Sequence, residues 1–143
     1  MAERILIDTG PIVAVLDQRD QHHAACKAYA DQISEVVYTC WPVITEACYL
    51  LRRRPDLVDR LLEMVHGGFY ELLDIPAEEI TQVGGILSKY RDQDIDLADA
   101  CLAHLADRES ILTVFTVDDR HFLLFRNVAG QPLRLLPGVT KGA

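Results

Sequence analysis

Apolar positions along the chain fall into short unbroken runs, separated by longer stretches in which they recur at helical spacing. The first run, Arg4 to Ile7, is closed by Asp8-Thr9-Gly10-Pro11. A run of that length bounded by turn residues predicts a buried strand that ends on an acid and turns into a helix. Pro11 suits the first helical turn, and Ile12, Val13, Val15 and Leu16 give that helix an apolar face. Asp17 to Asp20 reads as a loop, and His22 to Gln32, with Ala24, Ala25, Ala28 and Tyr29 in helical register, as a second helix. Val36 to Cys40 is the next strand. Pro42 then opens a helix carrying Val43, Ile44, Ala47, Cys48, Leu50 and Leu51, which Arg52-Arg53-Arg54-Pro55 stops. From Pro55 a further helix runs through Leu57, Val58, Leu61, Leu62 and Val65 to Gly67-Gly68. Phe69 to Leu73 follows as a third strand, and Pro76 to about Tyr90 as a helix whose continuity Gly84-Gly85 puts in question. After the polar loop Asp92 to Asp96, Leu97 to about Asp107 is a strongly periodic helix. Ile111 to Val117 is a buried strand, Asp118 to Phe122 a turn or short helix. Leu133 to Leu136, between Pro132 and Pro137, fits an edge strand.

Near-continuous apolar strands alternating with helices predict an α/β fold, with a mostly parallel central sheet of four or five strands covered on both faces. No repeat, low-complexity tract or linker divides the chain, so residues 1–143 are expected to form one domain. Half of the 143 residues are hydrophobic and a quarter charged, enough for a real core. Asp plus Glu number 22 against 14 Lys plus Arg, a net charge of -8. That excess argues against a uniformly basic face coating duplex DNA, but leaves room for a local basic patch and for a metal site built from carboxylates. Cys26, Cys40, Cys48 and Cys101 contain no C-x-x-C pair and predict buried free thiols in a reducing compartment rather than zinc ligands or disulfides. The opening MAERILID is too quickly charged for a secretory signal, and no apolar run approaches the roughly 20 residues of a bilayer span. The expectation is a soluble cytoplasmic domain.

Chemistry collects at the element ends. Ligands of open α/β sheets sit at the C-terminal edge of the strands. Asp8 follows the first strand and Asp118 the fourth; Glu46 and Asp99 lie in the first turns of helices. Four carboxylates gathered in a cleft repel one another unless a cation compensates them, and oxygen donors of this kind suit Mg²⁺ or Mn²⁺. Each acid also has a plainer reading. Asp8 could cap the helix of Pro11, Asp96 is a well-placed N-cap with Asp99 three residues on, and Glu46 could flank a solvated helix. Against this, Asp99 has apolar Leu102 and Ala103 one turn away, an expensive neighbourhood for an unpaired charge. Of the adjacent Asp118 and Asp119, at most one is expected to face the strand-end site.

These residues resemble a known family. ILIDTGPIVAVLDQRDQHH looks like the opening of a PIN-domain ribonuclease of the VapC toxin type, with Asp8 as its first metal-binding acid. VITEACYLL, Val43 to Leu51, is similar to the helix bearing the second acid, here Glu46. DLADACLAHLAD, Asp96 to Asp107, matches the third motif with Asp99 as metal ligand, and TVFTVDDRHFLLFR, Thr113 to Arg126, resembles the fourth with Asp118. Asp119 departs from the pattern, where related chains commonly carry a basic or neutral residue, and Gly84-Gly85 is a second oddity. The resemblance implies a PIN-like three-layer α/β/α sandwich and a Mg²⁺- or Mn²⁺-dependent endoribonuclease that hydrolyses RNA phosphodiesters with metal-activated water. It implies Asp8, Asp99 and Asp118 as metal ligands, with Glu46 a ligand through water or an orienter of the nucleophile. A homodimer and a small cognate antitoxin are implied as partners. Thr9 and Thr116 are candidates for hydrogen bonds to the carboxylates, and Asp96 for tuning the site at its rim.

RNA also needs cations. Arg52-Arg53-Arg54 is the only basic cluster, with a solvated helix end as its alternative. Arg120 is better placed for a phosphate beside Asp118. His121, next to Phe122, reads as structural, and His22 and His23 as surface helix residues. An aspartic protease would need paired DTG loops in a β framework. A response-regulator domain would need a lysine near a later strand end, and a dinucleotide fold a glycine-rich loop after the first strand. None of these is present. A PIN fold used as a binding module, and a PIN nuclease of RNA processing outside any toxin–antitoxin pair, remain as alternatives.

Overall fold

The computed structural model describes residues 3–118, 122, 125 and 132–137. Its five strands are β1 (Arg4–Ile7), β2 (Val36–Thr39), β3 (Glu71–Leu72), β4 (Thr113–Phe115) and β5 (Arg134–Leu136). They form one parallel sheet in the order β3-β2-β1-β4-β5. Six helices accompany them: α1 (Thr9–Leu16), α2 (His23–Gln32), α3 (Trp41–Leu50), α4 (Pro55–His66), α5 (Ile80–Lys89) and α6 (Leu97–Glu109). Helices flank the central sheet, as the apolar strands require, because a parallel sheet is stable only when both faces are covered. On the face bearing Phe115, Tyr29 of α2 meets that ring edge-on at 4.8 Å. Ile5, Leu6, Ile7, Val114 and Phe115 are buried in the sheet, and Ile12, Ile44, Leu61, Leu102 and Leu105 bury the helix faces against it.

The order of the strands fixes where a site can form. From β1 the chain crosses to β2 and on to β3, then returns past β1 to β4 and β5. Successive crossovers therefore leave in opposite directions on either side of the β1–β4 pair, which is the topological switch point of such sheets. Leu6 pairs with Val114 and Ile7 with Phe115, so the strand ends carrying Asp8 and Thr116 emerge side by side. Helix α3 packs on both α1 and α6, which brings those helices towards this edge.

Three expectations change in detail. The third strand is only Glu71–Leu72, and β4 only Thr113–Phe115, the residues in register with a neighbouring strand, although single backbone bonds such as Leu73 N–H to the Thr39 carbonyl run one residue further. The stretch from Pro76 divides into a short 3-10 turn, Ala77–Glu79, and α5. Gly84-Gly85 does not interrupt α5, and a Cβ on either would meet nothing within 4 Å; nothing in the structure explains the pair. Among the described residues no helix is long and apolar enough to cross a membrane.

Gly10 does have a steric reason. A Cβ there would lie 2.5 Å from Cγ2 of Val117, so the bare glycine backbone lets the start of α1 close on the end of β4. Valine has few rotamers with which to retreat. Gly10→Ala is expected to cost about 1–3 kcal/mol by overpacking, and Val117→Ala in the same chain to recover part of it. Urea unfolding of the parent, the single and the double variant checks this; equal midpoints for parent and Gly10→Ala would remove the constraint.

Candidate active site

Asp8 is the residue on which β1 becomes α1. Its N–H still donates to the carbonyl of Phe115 at 3.0 Å, which ties it to β4 as the chain turns. The carboxylate is only 7% exposed and is held at both oxygens. Oδ1 accepts the Thr9 N–H at 2.8 Å, and Oδ2 accepts the Thr116 hydroxyl at 3.0 Å. Thr116 Oγ1 accepts in turn from the Asp118 N–H at 3.1 Å. Thr9 turns its own hydroxyl to α3, donating to Glu46 Oε1 at 2.8 Å. Two threonines thus link a strand end, two helices and the segment after β4.

Asp99 enters from α6. Asp96 caps that helix, its Oδ1 accepting the Asp99 N–H at 2.8 Å, while Asp99 Oδ2 accepts the Asp96 N–H at 3.2 Å. This reciprocal box satisfies two N–H groups that a helix start otherwise leaves orphaned. It also fixes the rotamer of Asp99, which is 8% exposed among Ala98, Ala100 and Leu102. The acid and its cap sit where the partial positive charge of the helix N-terminus favours anions.

Burial pushes the Asp8 carboxyl up to about 7, from an ordinary 3.8; the Thr9 N–H and the Thr116 hydroxyl pull it down, and the Asp99 and Glu46 carboxylates raise it further. Both of those acids therefore act on Asp8 through space. Asp118 reaches the same edge through its N–H bond to Thr116. Among the described residues, no three His, Cys, Asp or Glu side chains stand together as a ready ligand group. The donor chemistry still fits a hard cation: the groups are oxygen donors, and a buried carboxyl beside two like charges is a deficit that a divalent ion offsets. Arg120 lies outside the described residues, as do Asp119 and His121.

Cys40 and Cys101 lie buried beneath this edge. Burial pushes both thiols up, so they stay protonated and behave as apolar filler. His23, expected on the surface, is half-buried, with Nδ1 2.6 Å from the carbonyl of Ala14, and it joins α2 to the end of α1. A polar cluster on α6 has no counterpart in the sequence reading. Buried His104 places Nε2 2.7 Å from Glu79 Oε1, which Arg108 also meets at 2.9 Å while bonding the carbonyl of Asp74. Those two partners hold the Glu79 carboxyl below its ordinary value. Separations of 25 and 29 residues carry no periodic signal, so only the fold reveals the cluster. It braces the turn before α5 against α6.

The raised value of Asp8 gives a pH dependence with a definite sign. The folded protein holds this proton more tightly than the unfolded chain. The stability it confers is therefore complete below about pH 3.8 and is lost as the pH rises through about 7. In chelator, the melting temperature of Asp8→Asn relative to the parent is expected to climb between pH 4 and pH 8. A difference that stays flat across that range contradicts the assignment.

A profile of the PIN domain matches residues 5–131. Ribonuclease VapC26 of Mycobacterium tuberculosis is 34% identical over 135 residues, spanning 93% of this chain and 100% of the relative. Among solved structures, Mycobacterium tuberculosis VapC20, a toxin that cleaves the sarcin-ricin loop, superposes with a TM-score of 0.76. Its 18% identity, over 82% of this chain and 92% of that one, speaks for the fold alone. The profile match over most of its length and the similarity to ribonuclease VapC26 show that the chain belongs to the PIN domain family.

Proposed function

We propose that the chain is an endoribonuclease whose metal is held by Asp8, Asp99 and Asp118, with Glu46 beside them, at the switch point of the sheet. The observation that carries this is Asp8: buried, bonded at both oxygens, and raised by the neighbouring Asp99 and Glu46. A merely structural cap has no need of two further acids beside it. VapC-type PIN ribonucleases are metal-dependent as a class. The all-oxygen donor set favours Mg²⁺ or Mn²⁺. A divalent ion there supplies Lewis acidity towards the phosphodiester and towards water.

The rest of the chemistry belongs to the protein. Thr116 and the Thr9 N–H keep Asp8 from turning away from the edge. Asp96 does the same for Asp99. The Thr9 hydroxyl holds Oε1 of Glu46 and leaves Oε2 to take a proton from the attacking water or to orient it. Arg120 is assigned to a phosphate of the substrate. The kinship with ribonuclease VapC26 supports a toxin of a toxin–antitoxin pair acting on RNA. Its partners are then a small antitoxin and a second copy of the chain, and the neighbouring reading frame and light scattering at micromolar concentration test these.

Asp99→Asn keeps the volume and an acceptor for the Asp96 N–H, so the domain is expected to stay folded. Its metal affinity is expected to fall by more than about 100-fold, beyond the range that losing a supporting hydrogen-bond partner costs, and most cleavage to go with it. Asp119→Asn should alter neither. Arg120→Ala should leave metal binding intact and lower the salt slope of RNA binding by about one. Calorimetric titration with Mn²⁺ and cleavage of a labelled RNA measure all three. Full cleavage by Asp99→Asn with unchanged metal binding would move the weight to a non-catalytic PIN module.

A further inference from the structure

The exposed face of α3 carries features that the acidic site does not use. Trp41, the first residue of the helix, is 58% exposed, and Tyr49, two turns on, is 60% exposed. Thr45, also exposed, lies between them in the same i, i+4, i+8 row. The guanidinium of Arg52 stacks on the Tyr49 ring at 4.0 Å and donates to the Tyr49 carbonyl at 2.9 Å. Arg54 is paired with Asp56, but among the described residues no carboxylate lies within 4 Å of Arg52. Large aromatic rings left in water are costly, and here they form a row beside the Arg52 guanidinium in a chain of net charge -8.

The row shares its helix with one of the acids. Trp41 opens α3, which also carries Glu46, held by the hydroxyl of Thr9, the neighbour of Asp8, and Glu46 lies one turn before Tyr49 on the flank of the row. We propose that Trp41 and Tyr49 form a base-stacking platform for single-stranded RNA, with Arg52 as a phosphate contact, leading the strand into the acidic site. The proposal rests on the ribonuclease reading. Aromatic faces with an interleaved cation are the means by which proteins hold single strands without reading their sequence. Eight residues of helix set the two positions about 12 Å apart along the axis, against about 3.4 Å between stacked bases of one duplex strand. The platform therefore takes bases splayed apart and not a continuous stack, which excludes duplex RNA.

Trp41 is the single tryptophan of the chain, so its fluorescence reports this position alone. Fluorescein-labelled oligoadenylate and oligouridylate, and the duplex they form, would be titrated in chelator, with anisotropy read beside tryptophan emission. Single strands are expected to quench Trp41 as they bind, and the duplex to leave it unchanged. In Mg²⁺, Trp41→Ala and Tyr49→Ala are each expected to raise KM for single-stranded RNA by about tenfold with kcat nearly unchanged, and Trp41→Phe and Tyr49→Phe to restore most of it. Arg52→Ala should lower the salt slope of binding by about 0.7. RNA that binds without moving Trp41, equal quenching by duplex, or parental KM in both alanine variants overturns the platform while the ribonuclease reading stands. Emission that changes with protein concentration alone, or only with an added antitoxin peptide, gives the stripe to a protein partner and overturns it as well. RNA that is neither bound nor cut by the parent removes both readings together.

Discussion

The structure turns on a negative charge buried where two strand ends separate. Asp8 sits at the β1–β4 switch point with almost no access to water, and Asp99 and Glu46 act on it from two other helices. The N-terminus of α1 and a threonine hydroxyl supply hydrogen-bond donors, yet burial and like charge outweigh them and hold the carboxyl near 7. The remainder of the fold has to carry that cost. It does so with an apolar core from both sheet faces, in which Leu6, Ile12, Leu61, Leu102 and Leu105 are entirely out of water. A folding optimum would replace one of these acids. Keeping all of them at one edge costs stability, and the proposed function gives that cost a purpose.

Threonine is well suited to hold such a group together. Its hydroxyl donates to one partner while accepting from another, and its branched Cβ limits the rotamers available. Thr116 donates to Asp8 and accepts from the Asp118 N–H, so the orientation of one acid is coupled to the backbone that carries the next. Thr9 does the corresponding work between α1 and α3, across 37 residues of sequence. Gly10 completes the arrangement by what it lacks, since a Cβ there would collide with Val117 just past the end of β4. Position in this site is set by contacts between elements, each of which would be unremarkable alone.

Much of the architecture was legible in the sequence because buried parallel strands and amphipathic helices leave strong periodic marks. The run Arg4–Ile7 is bounded as its residues suggest, and α6 begins at Leu97, after Asp96 as its cap. Asp99 was recognisable as inward-facing from Leu102 and Ala103. Less legible was whether Asp8 and Asp96 serve as caps or as site residues. The structure shows both as caps and places them beside the other acids: Asp8 caps α1 within electrostatic reach of Asp99 and Glu46, and Asp96 caps α6 by bonding Asp99, so capping does not exclude the proposed site role. What sequence could not supply are contacts with no period, such as Thr9 to Glu46, His104 to Glu79, and His23 to the carbonyl of Ala14. The fourth strand was overestimated because apolar composition begins at Ile111 and Leu112, ahead of the residues Thr113–Phe115 that are in register with the neighbouring strands.

A chain with eight more negative than positive charges meets RNA under net repulsion. Positive charge can offset this only locally, and each phosphate contact weakens as salt rises, because its strength comes from released counterions. Aromatic stacking has no such dependence: its energy comes from apolar area and from the π-face that every base presents. Placing exposed rings on α3 therefore lets an acidic domain hold a polyanion without becoming basic, and leaves the carboxylates free of competing ammonium groups. It also divides the labour by location. In the proposed site, the charges that would act on the scissile phosphate stay at the switch point, where burial strengthens them. The proposed grip on neighbouring nucleotides lies in water on the outer face of α3, where a ring keeps its value and a salt bridge loses most of it.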